Sequence, residues 1–141
     1  MVQKHIDIKN EDYYRRHRSW TNHFEIEHDA KILDIGCGQG MLGKYLNETL
    51  GARVTGIEIV ESCYLAAKEV LDQAYLGDIE TMDLSFLDCD YDYIIFADSL
   101  EHLINPDVAL NRIKGLLNKN GHLLISIPIL EPSGSIFEIR C

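Results

Sequence analysis

Two periodicities alternate along this chain. Apolar runs of four to seven residues, the length of strands, recur between segments whose apolar residues fall three and four apart, the spacing of a helix face. The first run is Ile32 to Ile35. Three glycines follow at alternate positions, Gly36, Gly38 and Gly40, and then Met41, Leu42, Tyr45 and Leu46 fall at helical spacing. Gly51 suits a left-handed helix cap, and Arg53 to Glu58 reads as a second strand. Ser62 is placed to cap a helix through Leu71, and Gln73 to Leu76 is a short third strand. Thr81 to Asp90 is acidic and loop-like, and Tyr91 to Ala97 is apolar enough for the middle of a sheet. Asn105-Pro106-Asp107 opens a helix through Leu117, with Pro in its first turn. Asn120-Gly121 reads as a turn, and His122 to Ile127 as strand five. Ahead of all this, Asn10 or Asp12 caps a helix to about Phe24 that carries Tyr13, Tyr14, Trp20 and Phe24. Strand and helix in strict alternation predict an α/β domain, a doubly wound parallel sheet with right-handed crossovers.

Strand, glycine turn and helix together make a site for a nucleotide-like ligand. Glycine lets the chain turn tightly and lets a ligand approach the main chain, and the helix N-terminus offers unpaired N–H groups. Gly38-Gln39-Gly40-Met41-Leu42-Gly43 satisfies G-x-G-x-x-G, so a nicotinamide dinucleotide and an oxidoreductase have to be weighed. Against them, the glycines begin one step early, at Gly36, and Asp34 places a carboxylate where a diphosphate would be repelled. A carboxylate suits a ligand that is cationic or carries an ammonium group.

The segment LDIGCGQG, from Leu33 to Gly40, resembles the first motif of class I S-adenosylmethionine-dependent methyltransferases. The resemblance continues in order through Glu58, Gly77-Asp78, the segment from Asp98 to His102, and Asn120 to Pro128, covering roughly residues 30 to 128. It implies a Rossmann-like sheet of strand order 3-2-1-4-5 and S-adenosylmethionine as cofactor. The implied contacts are Asp34, Gly36, Cys37, Gly38, Gly40, Glu58, Ile59, Asp78, Ile79 and Asp98. An acid such as Glu58 at the end of strand two accepts from both ribose hydroxyls. Asp78 takes the adenine amino group, and Ile79 lies against the ring. Because the cofactor supplies the electrophile, the protein mainly positions and desolvates the reactants. A hydroxyl acceptor needs a base, and His102 is the candidate, with capping or packing of the next helix as its alternative role. Asp98, Glu101 and His102 also resemble the acid-x-x-Glu-His segment of magnesium-dependent small-RNA 2′-O-methyltransferases and of quinone O-methyltransferases. Those RNA enzymes take a further histidine from beyond strand five, nothing after His122 supplies it, and no metal is expected.

Composition narrows the field. The 141 residues suit a single domain, and a hydrophobic content of 46% with 26% charged residues suits a packed core. A net charge of −10 disfavours nucleic acid and anionic membrane, so the expected partner is a small-molecule methyl acceptor. The four cysteines have no C-x-x-C spacing and suit a reducing cytoplasm, and no apolar run is long enough to span a membrane. The expected organisation is an N-terminal helical lid segment over 1–28, a cofactor-binding domain over 29–130 and a short tail over 131–141. Related methyltransferases carry two further strands after strand five. Here only the tail is available, so Ser135 to Arg140 is expected either to pair with strand five or to exchange with a second molecule as a homodimer contact. The alternative to a complete enzyme is a cofactor-binding fragment or regulatory module without its own acceptor site.

Overall fold

The computed structural model describes residues 17, 18, 20–127 and, as a strand, 135–140. Six strands form one sheet: β1 (Lys31–Ile35), β2 (Arg53–Glu58), β3 (Gln73–Leu76), β4 (Tyr91–Ala97), β5 (Leu117–Ile127) and β6 (Ser135–Arg140). Their order is β3-β2-β1-β4-β5-β6. The first five run parallel in the predicted 3-2-1-4-5 order, and β6 pairs antiparallel with β5, from His122 opposite Arg140 to Ile127 opposite Ser135. The tail therefore covers the β5 edge within the same chain.

Successive strand residues face opposite sides, which builds two cores. Ile32, Val54, Tyr93, Ile95 and Leu124 pack on one face with α1 (Met41–Leu50) and α2 (Glu61–Val70), through Leu42, Tyr45, Leu46 and Ala67. Leu33, Ile35, Ile57, Ile94 and Phe96 pack on the other with α3 (Pro106–Ile113), through Ala109 and Ile113. The sheet is thus covered on both faces, as its near-continuous apolar strands require. Connections leave β1 and β4 toward opposite faces, and a crevice opens between their carboxyl ends, the switch point where α/β ligands bind.

The first four strands match the sequence reading, while three boundaries differ. Strand five begins at Leu117 rather than His122, because Asn120-Gly121 does not reverse the chain. Tyr91 pairs with Leu117 and Tyr93 with His122, so 118–121 bulge opposite Asp92, whose carboxylate accepts from Asn118 Nδ2. A Cβ on Gly121 would lie 2.9 Å from the Tyr91 carbonyl oxygen, so this bulge needs a glycine there. α3 stops at Ile113 and tightens into a 3₁₀ turn, Lys114–Leu116, around Gly115, instead of running to Leu117. α2 starts at Glu61 with Val60, not Ser62, at the cap position and no side-chain cap bond. The cap there is Glu58, whose Oε1 accepts from the Ile59 and Val60 amides at 3.0 and 2.9 Å. Of the N-terminal helix, residues 20–23 are helical, and Trp20 and Phe24 are buried against Tyr45 and Leu46. Its predicted start at Asn10 or Asp12, with Tyr13 and Tyr14, lies outside the described residues, as does most of the proposed lid.

Candidate functional site

The glycine turn is held down on β2. The amides of Gly36 and Cys37 both donate to the Ile57 carbonyl, at 2.8 and 3.1 Å. Gly36 and Gly38 have φ of 71° and 55°, in the left-handed region that favours glycine. They differ in surroundings: a Cβ on Gly36 would come within 2.6 Å of Ser99 Cβ, whereas one on Gly38 would meet nothing within 4 Å. Gly36 thus serves a close approach between two strand ends, and Gly38 serves the turn and leaves its outer side open.

Glu58 stands at the centre. It is 7% exposed, and each of its oxygens is engaged by main-chain N–H groups. Oε2 accepts from Gly38 at 2.7 Å, and Oε1 from Ile59 and Val60. Those charge-assisted bonds fix the carboxylate beside the glycine turn and join the β1 and β2 ends into one unit. Asp34 lies deeper, 2% exposed, and its Oδ1 has no hydrogen-bond partner. Burial, and secondarily the charge of Glu58, push its carboxyl up to about 7. The Cys37 thiol is likewise pushed up, first by burial and then by Asp34 and Glu58, so it is an inert packing group facing the Gly38 carbonyl at 3.6 Å.

The crevice above has a volume of about 420 Å³. Gly36, Glu58, Ile59, Asp78, Ile79, Asp98 and His102, all named from the sequence, line it. Asp34, Cys37, Gly38 and Gly40 do not; Gly38 supports the site through its amide on Glu58, and Gly40 packs against α2. Its walls are largely apolar, with Ile35, Ile57, Val60 and Leu103 joining Ile59 and Ile79. Ile59 and Val60 on one lip are 63% and 49% exposed, and Ile104 on the other is 86% exposed. Among the described residues its lining includes four carboxylates, Glu58, Asp78, Glu80 and Asp98, and neither lysine nor arginine.

At the β4 end Asp98 adopts φ 51°, unusual for a residue with a side chain. Ser126 on β5 holds it there: its Oγ donates to Asp98 Oδ1 at 2.8 Å, and its carbonyl and Oγ share the Asp98 amide, each at 3.1 Å. Ser99 donates to the Ile35 carbonyl at 2.8 Å, tying β4 to the glycine turn. His102 ends a 3₁₀ turn, Leu100–His102, with its side chain 79% exposed and Nε2 3.6 Å from Glu101 Oε1. Asp98, Glu101 and His102 do not gather as a metal set, nor does any group of three such side chains among the described residues.

Sequence reasoning missed Ser99, Ser126, Glu80, Val60 and Ile104. Ser99 alone carried a signal, since it sits inside the segment from Asp98 to His102.

A parallel sheet of this order with acids at three strand ends around a glycine turn defines the methyltransferase type of α/β fold. The chain belongs to the methyltransferase domain family, whose model matches residues 10–135. It is 34% identical over 105 residues to a ubiquinone biosynthesis O-methyltransferase of Glaesserella parasuis, covering 68% of this chain and 44% of that one. The chain thus spans less than half the length of that relative. Among solved structures it is similar to coclaurine N-methyltransferase bound to N-methylheliamine and SAH, with TM-score 0.69, 24% identity, and coverage of 82% of this chain and 36% of that one. It is equally similar in fold to the [4+2]-cyclase SpnF, with TM-score 0.69, 19% identity, and coverage of 80% and 44%. No helix among the described residues is long and apolar enough to cross a membrane.

Proposed function

We propose that this chain is the donor-binding domain of an S-adenosylmethionine-dependent methyltransferase whose acceptor is a small molecule, with a hydroxyl as the reacting group. The observation that carries this reading is the buried Glu58 carboxylate, fixed against the Gly38 amide at the mouth of an acid-lined, apolar-walled crevice. The residues fit the cofactor. Glu58 accepts from the ribose hydroxyls, and Ile59, Val60 and Ile79 offer apolar faces to the adenine. Asp78 Oδ1 accepts the Glu80 amide at 2.9 Å, and in this reading the carboxylate accepts from the adenine amino group. The four crevice carboxylates favour a ligand bearing positive charge.

When bound, the cofactor supplies a methyl group activated by its sulfonium. The chain's own part is to orient, to exclude water and to accept a proton. In this reading His102, exposed on the opposite wall and beside Glu101, takes the acceptor's proton as it is methylated. The ubiquinone and coclaurine enzymes named above are methyltransferases by name and support transfer to a small acceptor. The second reading is a cofactor-binding fragment or regulatory module without its own acceptor site; SpnF, a cyclase by name, is an example of this fold under a name other than methyltransferase. A dinucleotide reading is disfavoured, because Glu58 already occupies the Gly38 amide and four carboxylates would face the pyrophosphate.

Isothermal titration with S-adenosylhomocysteine and with NAD tests the site. The expected result is binding of the first only, weakened in Glu58→Ala by on the order of 1.5–3 kcal/mol, the worth of hydrogen bonds to a charged acceptor. NAD binding without S-adenosylhomocysteine binding would overturn the proposal. Methyl-donor consumption across a panel of hydroxyl acceptors separates the enzyme from the non-transferring domain.

A further inference from the structure

The two walls of the crevice are tied directly to each other. One is the loop after β3, with Asp78 and Ile79; the other is the loop leading into α3, with His102, Leu103 and Ile104. Glu80 reaches across from the first to the second. Its Oε1 accepts the Asn105 amide at 2.6 Å and its Oε2 accepts the Ile104 amide at 3.1 Å. Asn105 is the N-cap of α3 and makes no side-chain cap bond, so Glu80 caps that helix from a different loop. A carboxylate there also meets the favourable end of the helix dipole.

The tie runs the other way as well. Arg112, in the last turn of α3, donates through Nη1 to the Ile79 carbonyl and through Nη2 to the Met82 carbonyl. The Glu80 amide in turn fixes Asp78 Oδ1 at 2.9 Å. The α3 start is bound to Glu80, and the α3 end is bound to the backbone on either side of Glu80. His102 and Ile104 are exposed and Leu103 packs inward, so the main chain at 104 and 105 is held by this carboxylate and not by its own side chains.

We propose that Glu80 and Arg112 form a two-way clamp that makes the wall carrying Asp78 and Ile79 and the wall carrying His102 and Ile104 one body, so that filling the first orders the second. The inference rests on the donor reading above, because it takes the Asp78 wall to be the adenosine side. Glu80 is a positioning residue, since it touches no reacting group and acts through the amides of Ile104 and Asn105. The coupling is reciprocal, so an acceptor seated against His102 tightens the hold on the donor by the same factor.

Amide hydrogen exchange on the full chain tests the clamp without any acceptor. In the free protein, Glu80→Ala should speed exchange at Ile104 and Asn105 by roughly tenfold or more, the loss expected for bonds to a charged acceptor. Glu80→Gln, which keeps one carbonyl oxygen, should recover part of that protection. S-adenosylhomocysteine should slow exchange at Ile59, and also at Ile104 and Asn105 in the wild type but not in Glu80→Ala. Unchanged exchange at Ile104 and Asn105 in free Glu80→Ala would overturn the clamp. So would a wild type in which the ligand protects Ile59 but leaves those two amides as they were. No protection at Ile59 would instead overturn the donor reading, while the ligand-free comparison still judges the clamp. Should Glu80→Ala fail to fold, Arg112→Ala and Glu80→Gln carry the same comparison.

Discussion

Asparagine at position 34 isolates the energetic consequence of burying an acid beneath the glycine turn. Asp34 is fully enclosed, and its carboxyl is pushed from 3.8 to about 7, chiefly by burial and secondarily by Glu58. Each pH decade of that gap is worth 1.36 kcal/mol, so ionising Asp34 in the folded protein costs on the order of 4 kcal/mol. The sign follows from which state holds the proton. Between about 4 and about 7 the folded chain keeps it and the unfolded chain has lost it, so stability falls as pH rises through that window. The contribution is fully present below about 4 and gone above about 7. From pH 5 to 8 a little over half of the window is crossed, or on the order of 2–3 kcal/mol. Urea unfolding of wild type and Asp34→Asn at several pH values reads this out, because the difference between the two cancels the other carboxylates. Asp34→Asn should gain on the wild type as pH rises and be the more stable of the two at pH 8. A difference in stability that stays constant from pH 5 to 8 would refute the account of Asp34 as a buried acid protonated in the free protein.

Two further outcomes probe the frame around the site. A Cβ on Gly43 would lie 2.5 Å from Leu71 Cδ2 and 2.9 Å from Val54 Cγ1, so Gly43→Ala should destabilise by about 1–3 kcal/mol, seen as a lower urea midpoint. Deleting 131–141 removes β6 and exposes the β5 edge, and light scattering should then report association; a deletion variant that stays monomeric with unchanged melting would show that the edge needs no cover.

Strands one, two and four were legible because each is a largely buried, mostly apolar run. The short third strand, Gln73 to Leu76, was read from its place before Gly77 even though none of its residues is buried. Strand five was read short for a local reason. Asn118, Lys119, Asn120 and Gly121 have the composition of a turn, yet Asp92 and the Tyr91 carbonyl receive them as a bulge, a fact of pairing that local pattern does not carry. The strand-end acids Glu58, Asp78 and Asp98 were legible because residue type and position coincide at the carboxyl end of a parallel strand. Their holders were not. Ser99 reaches Ile35 across 64 residues, Ser126 reaches Asp98 across 28 and Glu80 reaches Asn105 across 25, distances at which only the folded sheet brings the partners together. Ser62 failed as a cap because Glu58 satisfies the amides at the start of α2, which no pattern within that helix reveals.

On the donor reading proposed above, the charge of the crevice lining bears on which form of the cofactor it holds more tightly. Four carboxylates without lysine or arginine, among the described residues, make a site whose potential favours positive charge. S-adenosylmethionine carries a sulfonium, and giving up its methyl group turns that centre into a neutral thioether. On the proposed donor reading, the reaction therefore removes one of the two positive centres that the carboxylates attract, and the spent molecule keeps only its α-ammonium group. On that reading, discrimination between donor and by-product would be largest at low ionic strength and would shrink as salt screens the carboxylates.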